Sequence, residues 1–405
     1  MRDVKAMRRP SHGEELLVAC QPVLDTRRRV VGYRITYARP DRRVGPAVGA
    51  SDSVELFKDV LGGIDELVGS SIAHLPISLM TVGVPPIRPD RVVLRVRFQE
   101  ATKPVLALIF RVCSARGYSL ELDAIPGLEV ADYLLDLFPT VEVDLSRWSV
   151  DEVGGLVARI ARHGGIALAS GVRSHAQRAQ AEEMGFELFV GPYYATANVV
   201  AGRKVPVGDL RQLVNVARLH AESASLDKAI DVIGTDIGLT VRLLRYINSA
   251  HFGLSTRISS IRQAAVLLGA RGIARWALLI AALDAAPKAP AELRHMALRR
   301  ARMCQEIAVQ RADADPEQMF MVGLLSMVDA LLGAPLDTIV RELPLGPAVS
   351  EALLNRTGAA GRILNAVIAY EDGTFFDATV RQELPRPGSA YRTATSWARE
   401  TLPVG

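Results

Sequence analysis

The sequence predicts two structural classes in one chain, an α/β barrel of the (βα)8 type followed by an all-helical bundle. Three observations lead there. The chain has 405 residues, more than one ordinary domain holds, and two units of about 200 residues are the natural expectation. Up to about Val205, short β-like runs alternate with helical ones, as a parallel sheet wrapped in helices requires. After "AGRKVPVGD" the β signal fades and helix follows helix.

Eight runs read as strands: "LLVACQPVL", "VVGYRITYA", "AHLPISLM", "RVVLRVRF", "YSLELDAI", "TVEVDLS", "GIALAS" and "FELFVG". The first two are separated only by "DTRRR", so they predict an antiparallel hairpin and hence a modified barrel whose first strand runs against its neighbour. "KPVLALIFRVCSARG" and "VDEVGGLVARIARHGG" read as connecting helices. In the second half, "DIGLTVRLLRYINSA" places Leu239, Leu243, Leu244 and Ile247 on one stripe. "SSIRQAAVLLGA", capped by Ser260, and "RGIARWALLIAALDA" follow as separate helices. Trp276, spaced helically from Ile273 and Ile280, reads as a core filler. The short connector predicts two halves in close contact.

Strand alternation raises one question. In "VVGYRITYARP", Gly32, Arg34, Thr36 and Ala38 share a face and Tyr33, Ile35 and Tyr37 share the other. An arginine is therefore aimed into the barrel. Arg95 with Arg97, Glu121 with Asp123, and Glu142 with Asp144 also pair on single faces. If all point inward with Arg34, three cations meet four carboxylates in a self-neutralising network.

Composition narrows the function. Hydrophobic residues make up 49% and charged residues 23%, which is globular composition and not that of a disordered chain. Aromatics at 5% argue against a stacking platform for single-stranded nucleic acid, and a net charge of +4 spread over this length is weak support for any nucleic-acid partner. Arg27-Arg28-Arg29 reads as a hairpin turn, and Arg299-Arg300 as a solvated helix face. Cys20, Cys113 and Cys304 are far apart, with no C-x-x-C pair, which predicts buried thiols in a reducing cytoplasm. No signal peptide or membrane-length apolar run is visible.

"ACQPVLDTRRRVVGYRITYAR" resembles the opening of bacterial EAL domains, which hydrolyse cyclic di-GMP on a modified (βα)8 barrel. "RLLRYINSAHFGLSTRISSIRQAAVLLGARGIARWALL" closely resembles HDOD domains, and "FMVGLLSMVDALLGAPLDTIVRELPLGPAVSEALL" resembles the end of that module in EAL–HDOD fusions. The resemblance implies a degenerate EAL domain over residues 14–205 and an HDOD domain over 206–400. Active EAL domains hold two divalent metals with carboxylates at strand ends. Here the signature Glu falls on Arg34, the downstream arginine on Ala38, the metal-binding Asn on Ser78 and a further Glu on Arg95. Asp123 survives while the next acid is Ala124. Glu142 replaces a lysine and Asp144 remains. Ser170 and Arg173 stand in place of two glutamates, and Gln21 and Gly191 are retained.

Arginines at carboxylate positions repel a divalent cation, so the resemblance implies no metal, no cofactor and no catalysis. HDOD domains likewise resemble HD phosphohydrolases without their ligands. Where a hydrolase reads "GLLHDIG" this chain reads "GLLSMVD", with Ser326 and Met327 replacing the pair, and Asp329 alone makes no site. His220, His251 and His295 are scattered. Tyr246, Asn248, Ser249 and His251 read as a helix-end cap before a docking surface.

Two readings follow. The first is a non-catalytic, cytoplasmic adaptor or regulator that contacts other signalling proteins, compatible with a homodimer. The second is a metal-independent receptor for a cyclic dinucleotide or another anion at an arginine-lined mouth, with Gln21, Arg34, Arg95, Asp123, Asp144 and Arg173 as candidate ligand-binding residues.

Overall fold

The computed structural model describes residues 16–38, 63–77, 88–196, 230, 243–244, 247–248, 258–284, 286 and 289–402. The domain boundary near Val205 and the readings on Ser78, His220, Leu239, Tyr246, Ser249 and His251 lie outside these residues.

All eight expected strands form, and they close a barrel in sequence order. They are β1 (Leu17–Asp25), β2 (Val30–Ala38), β3 (Ala73–Ile77), β4 (Val92–Arg97), β5 (Ser119–Asp123), β6 (Thr140–Asp144), β7 (Ile166–Ser170) and β8 (Leu188–Phe189). β1 is antiparallel to both β2 and β8, and β2 to β8 run parallel. The hairpin turn is made by the arginine run: Arg28 takes a left-handed conformation (φ 61°), and Arg29 pairs with Asp25 at 2.7 Å. Outward-facing residues such as Leu120, Leu122, Val141 and Val143 join the main core under the helices. Inside the barrel, Val23, Leu168 and Val190 form a small separate apolar cluster.

Connecting helices start where local chemistry permits. The helix Val150–Arg162 opens with a reciprocal Ser149–Glu152 capping box and buries Val153, Leu156, Val157 and Ile160 against the sheet. Retained Gly191 sits at φ 151°, and a Cβ there would meet the Val172 carbonyl oxygen at 2.1 Å. Only glycine fits that crossing.

The helical half follows. The two helices expected at 259–285 form one segment, α1 (Ile261–Asp284), broken at Gly269 (φ 71°) into arms that meet at 103°. Ser260 caps it by accepting from the Gln263 amide, and Trp276 is buried as expected. The Asn248 amide donates to the Leu244 and Ile258 carbonyls, and its Oδ1 accepts from Ile258 N, which is the capping role expected of it. At the centre lies α2 (Ala291–Val309), buried on most of its circumference. Around it pack α3 (Pro316–Leu325), α4 (Gly358–Glu371) and α5 (Pro387–Thr401). Arg299 and Arg300 on α2 are 6% and 5% exposed, which corrects their reading as a solvated face. A helix packed on several sides has no free face to hold them. The three cysteines are buried thiols. Among the described residues, no single helix is long and apolar enough to cross a membrane.

The two halves meet along β1. β1 pairs with β8 only at Leu24–Phe189 and Asp25–Leu188, so the rest of that edge must find other partners. Two fully buried tyrosines supply them. Tyr370 Oη on α4 accepts from Val18 N (3.0 Å) and donates to Val18 O (3.1 Å). Tyr391 Oη on α5 accepts from Cys20 N (2.9 Å) and donates to Cys20 O (3.4 Å). Arg392 donates to Leu16 O one step further along. Arg399 donates to the Asp65, Glu66 and Leu67 carbonyls at the C-terminus of the short helix Ile64–Val68, where a cation is favoured. Tyr33 of β2 donates to Glu292 of α2.

Each tyrosine hydroxyl thus satisfies a buried backbone donor and acceptor. Tyr370→Phe or Tyr391→Phe should cost about 1–3 kcal/mol in denaturant unfolding, and should speed amide exchange at Val18 or Cys20 respectively. Exchange unchanged at those amides would show that the hydroxyls do not hold the edge.

Candidate functional site

Register turns the charged residues of five strands to one face, on neighbouring rungs of the sheet. Arg34 pairs with His74, Arg95 with Glu121, and Asp123 with Glu142. Neighbours in a sheet share a face, so these side chains turn into the barrel together. Gly32, one step along β2, leaves room for His74: a Cβ there would lie 2.9 Å from His74 Nε2.

The contacts are specific. Arg34 Nη1 meets Glu142 Oε1 at 2.7 Å. Arg95 reaches Glu142 Oε2 through Nη2 (2.5 Å) and Nε (3.0 Å), and its Nε also meets Glu121 Oε1 at 2.8 Å. Glu121 Oε2 is bonded to His74 Nδ1 at 2.6 Å. All four oxygens of the two carboxylates are therefore occupied. Two guanidinium groups balance two carboxylates in a space where Arg95 is 7% exposed and both glutamates 1%. Burial alone would raise the Glu142 pKa, but Arg34, Arg95 and a Ser170 hydrogen bond override it and hold this carboxyl well below the usual range. Burial works to lower Arg95 too, yet Glu142 and Glu121 win and push it above its ordinary value. Arg34 goes the other way, lowered by burial and by neighbouring Arg95.

The candidate residues divide into four groups. Arg34 and Arg95 sit in the network. Asp123 lies beside it, half-buried, with its pKa pushed up to about 6 by burial and by Glu142. Asp144 turns away and closes the loop after β6, accepting from Ser146 N (3.0 Å) and Ser146 Oγ (2.7 Å). Gln21 and Arg173 face the helical half instead. Gln21 hydrogen-bonds Asp372 at the end of α4, whose pKa burial and Glu371 push up to about 6 while Arg300, Arg173 and the Gln21 hydrogen bond oppose the rise. Arg97 is exposed. The expected set of three cations and four carboxylates is thus narrower, with Arg34, Arg95 and His74 set against Glu121 and Glu142.

His74 escaped the sequence reading. It shares strand parity with Ser78, whose family position faces the metals, and that alternation was its one signal. Asp372 had none, because its partners are remote in sequence. Where an HD hydrolase would carry its His-Asp pair, buried Ser326 donates to Gly323 O and accepts from Arg300. Among the described residues, no group of three or more His, Cys, Asp or Glu side chains is arranged to hold a metal ion.

Comparison with known proteins fits this architecture. Residues 211–334 match the HDOD domain family. The chain carries an HDOD domain. With the eight-stranded barrel, antiparallel in its first strand, it has the EAL–HDOD organisation that its motifs imply. It is 24% identical to the uncharacterized protein YuxH of Bacillus subtilis over 376 residues, covering 89% of this chain and 91% of that one. It is 27% identical to the cyclic di-GMP phosphodiesterase CdgJ of Vibrio cholerae over 369 residues, covering 87% and 84%. Among solved structures, the Bacillus subtilis YkuI protein, which has an EAL domain and was solved with cyclic di-GMP and calcium, aligns at 12% identity and a TM-score of 0.38. The alignment covers 62% of this chain and 73% of that one. That likeness is too remote to assign residue roles.

Two outcomes test the network. Arg95→Gln leaves two buried carboxylates short of a cation and should destabilise the fold by about 3–5 kcal/mol in urea titration. Asp123 has the opposite sign. Its folded pKa of about 6 lies above the 3.8 of a free aspartate, so the folded state holds a proton that the unfolded state has lost between those pH values. Its ionisation weakens folding as pH rises from 4 to 7. Asp123→Asn should therefore stabilise the protein by about 1–2 kcal/mol at pH 7 and by nothing at pH 4. Parallel stability curves for the two proteins would show that Asp123 is not so perturbed.

Proposed function

We propose that the protein is a non-catalytic component of cyclic di-GMP signalling, an adaptor or regulator acting through protein–protein contacts. Its degenerate EAL part spans residues 14–205 and its HDOD part 206–400. One observation carries this reading: every carboxylate oxygen of Glu121 and Glu142 inside the barrel is taken by Arg34, Arg95 or His74. A divalent cation needs oxygen ligands with free lone pairs, and the guanidinium groups fill both that geometric and that charge-balancing role. The relation to cyclic di-GMP rests on the near full-length similarity to CdgJ, which bears the phosphodiesterase name. A protein that keeps such a framework while its charged centre is closed on itself retains surfaces with which to act.

A second reading draws on Arg34. Its side chain is 24% exposed, and its Nε has no hydrogen-bond partner among the described residues. A metal-independent receptor would use this group to grip a phosphate. The commitment of Arg34 Nη1 and of Arg95 to Glu142 favours the adaptor.

One pair of measurements decides. Purified protein incubated with cyclic di-GMP and Mg2+ or Mn2+ should show no turnover above buffer, and calorimetric titration with cyclic di-GMP should show no saturable heat. Metal-dependent turnover would overturn the adaptor reading outright. Binding without turnover, lost in Arg34→Gln, would establish the receptor.

A further inference from the structure

Away from the barrel interior, a cavity of about 170 Å³ lies between the two halves. The barrel rim contributes Cys20 and Gln21 of β1 and the stretch Gly191–Thr196, while the helical half contributes α2, Ser326, Asp329, Arg356 and the end of α4. Three arginines converge there: Arg299, Arg300 and Arg356. Arg300 is paired with Glu371, Nε and Nη2 each 2.7 Å from Oε2. Arg299, its side chain 7% exposed, stacks over the Tyr391 ring at 5.2 Å. Arg356 holds a left-handed backbone (φ 59°). Burial first, and adjacent Arg300 second, hold its guanidinium below the ordinary range.

The unsatisfied polar atoms on these walls form a pattern. Arg299 Nε and Arg356 Nη1 are buried donors with no hydrogen-bond partner among the described residues, and Glu371 Oε1, a loose ion-pair partner 3.9 Å from that Arg299 Nε, is a buried acceptor that makes no hydrogen bond either. Buried polar groups without partners are costly, so a native cavity that collects them calls for a group that satisfies them together. Open donors on two arginines ask for a species that accepts from them, and the Glu371 oxygen among wall carboxylates asks for one that also donates at least one proton. A singly protonated phosphate does this: its bare oxygens suit guanidinium forks and its O–H suits a carboxylate. The carboxylates on the walls, Asp329, Glu371 and Asp372, select in the same direction, since they repel an oxyanion with no proton to give. The volume sets the size. Engineered cavities of about 150 Å³ hold a benzene, so there is room for inorganic phosphate or a phosphomonoester with a small organic group, and not for a cyclic dinucleotide.

We propose that the cavity between the barrel rim and the helical half is a binding site for protonated phosphate, free or as a small monoester, held by Arg299, Arg300 and Arg356 and bridging the two halves. Because both halves line the cavity, the ligand stabilises their docking as well as its own pocket. This site is separate from the arginines inside the barrel and does not depend on the adaptor reading.

The test is thermal unfolding and calorimetric titration of the full chain near pH 6, where a phosphate monoester still holds a proton in a large share of molecules. Inorganic phosphate, glycerol 3-phosphate and sulfate are compared at matched ionic strength. At least one phosphate species should raise the melting temperature saturably by about 2 °C or more, and sulfate should not. Which of the two phosphates binds more tightly tells free anion from ester. Arg356→Gln, at a half-buried position, should weaken binding about tenfold or more, while Arg97→Gln on the barrel should leave it unchanged. Equal responses to phosphate and sulfate, no response to either phosphate, or full binding by Arg356→Gln would overturn the proposal. The phosphate-against-sulfate comparison on the unaltered protein decides the matter even if the variant fails to fold.

Discussion

The unpaired edge of β1 is the constraint on which this molecule turns. A barrel whose first strand runs antiparallel meets its last strand awkwardly, and here the closing ladder is two residue pairs long. Backbone groups along the remaining edge are buried and must be satisfied. Tyr370 and Tyr391 do this from outside the barrel, each hydroxyl both accepting and donating at one residue, as a ninth strand would. Their positions fix α4 and α5 against β1. That in turn places the α2 arginines and the end of α4 opposite Gln21 and the Gly191 turn.

Inside the barrel, a second constraint acts independently. Charged side chains cannot be buried there without partners, and the register of five strands leaves few ways to supply them. Arg34 and Arg95 against Glu121 and Glu142 is one closed solution. Its value lies less in net stability, since buried ion pairs often do no better than apolar packing, than in its closure. Each member removed exposes the others. Asp123, next to the network, is half-buried beside Glu142, and both effects show in its raised pKa.

Much of this was legible in the sequence. The eight strands announce themselves by alternation, the antiparallel start by the brevity of "DTRRR", and the two arms of α1 by their reading as separate helices. The inward arginines were visible because strand periodicity assigns faces without knowledge of the partner. What failed was what depends on distant partners. Arg299-Arg300 reads as solvent-facing because a charged pair on a helix ordinarily is. The groups that bury it, Glu371 and Tyr391, lie 71 and 92 residues further on. Gln21 and Arg173 were assigned to the barrel mouth by resemblance, and the docking of the helical half claims them instead.

The tyrosine hydroxyls bond to main-chain atoms, and main-chain atoms are the same in every strand. Cutting the chain between its halves would leave β1 a bare, largely apolar edge that any strand can join, including β1 of a second copy. The helical half is therefore also a guard against self-association of the barrel, and the barrel half on its own is a poor candidate for isolated expression.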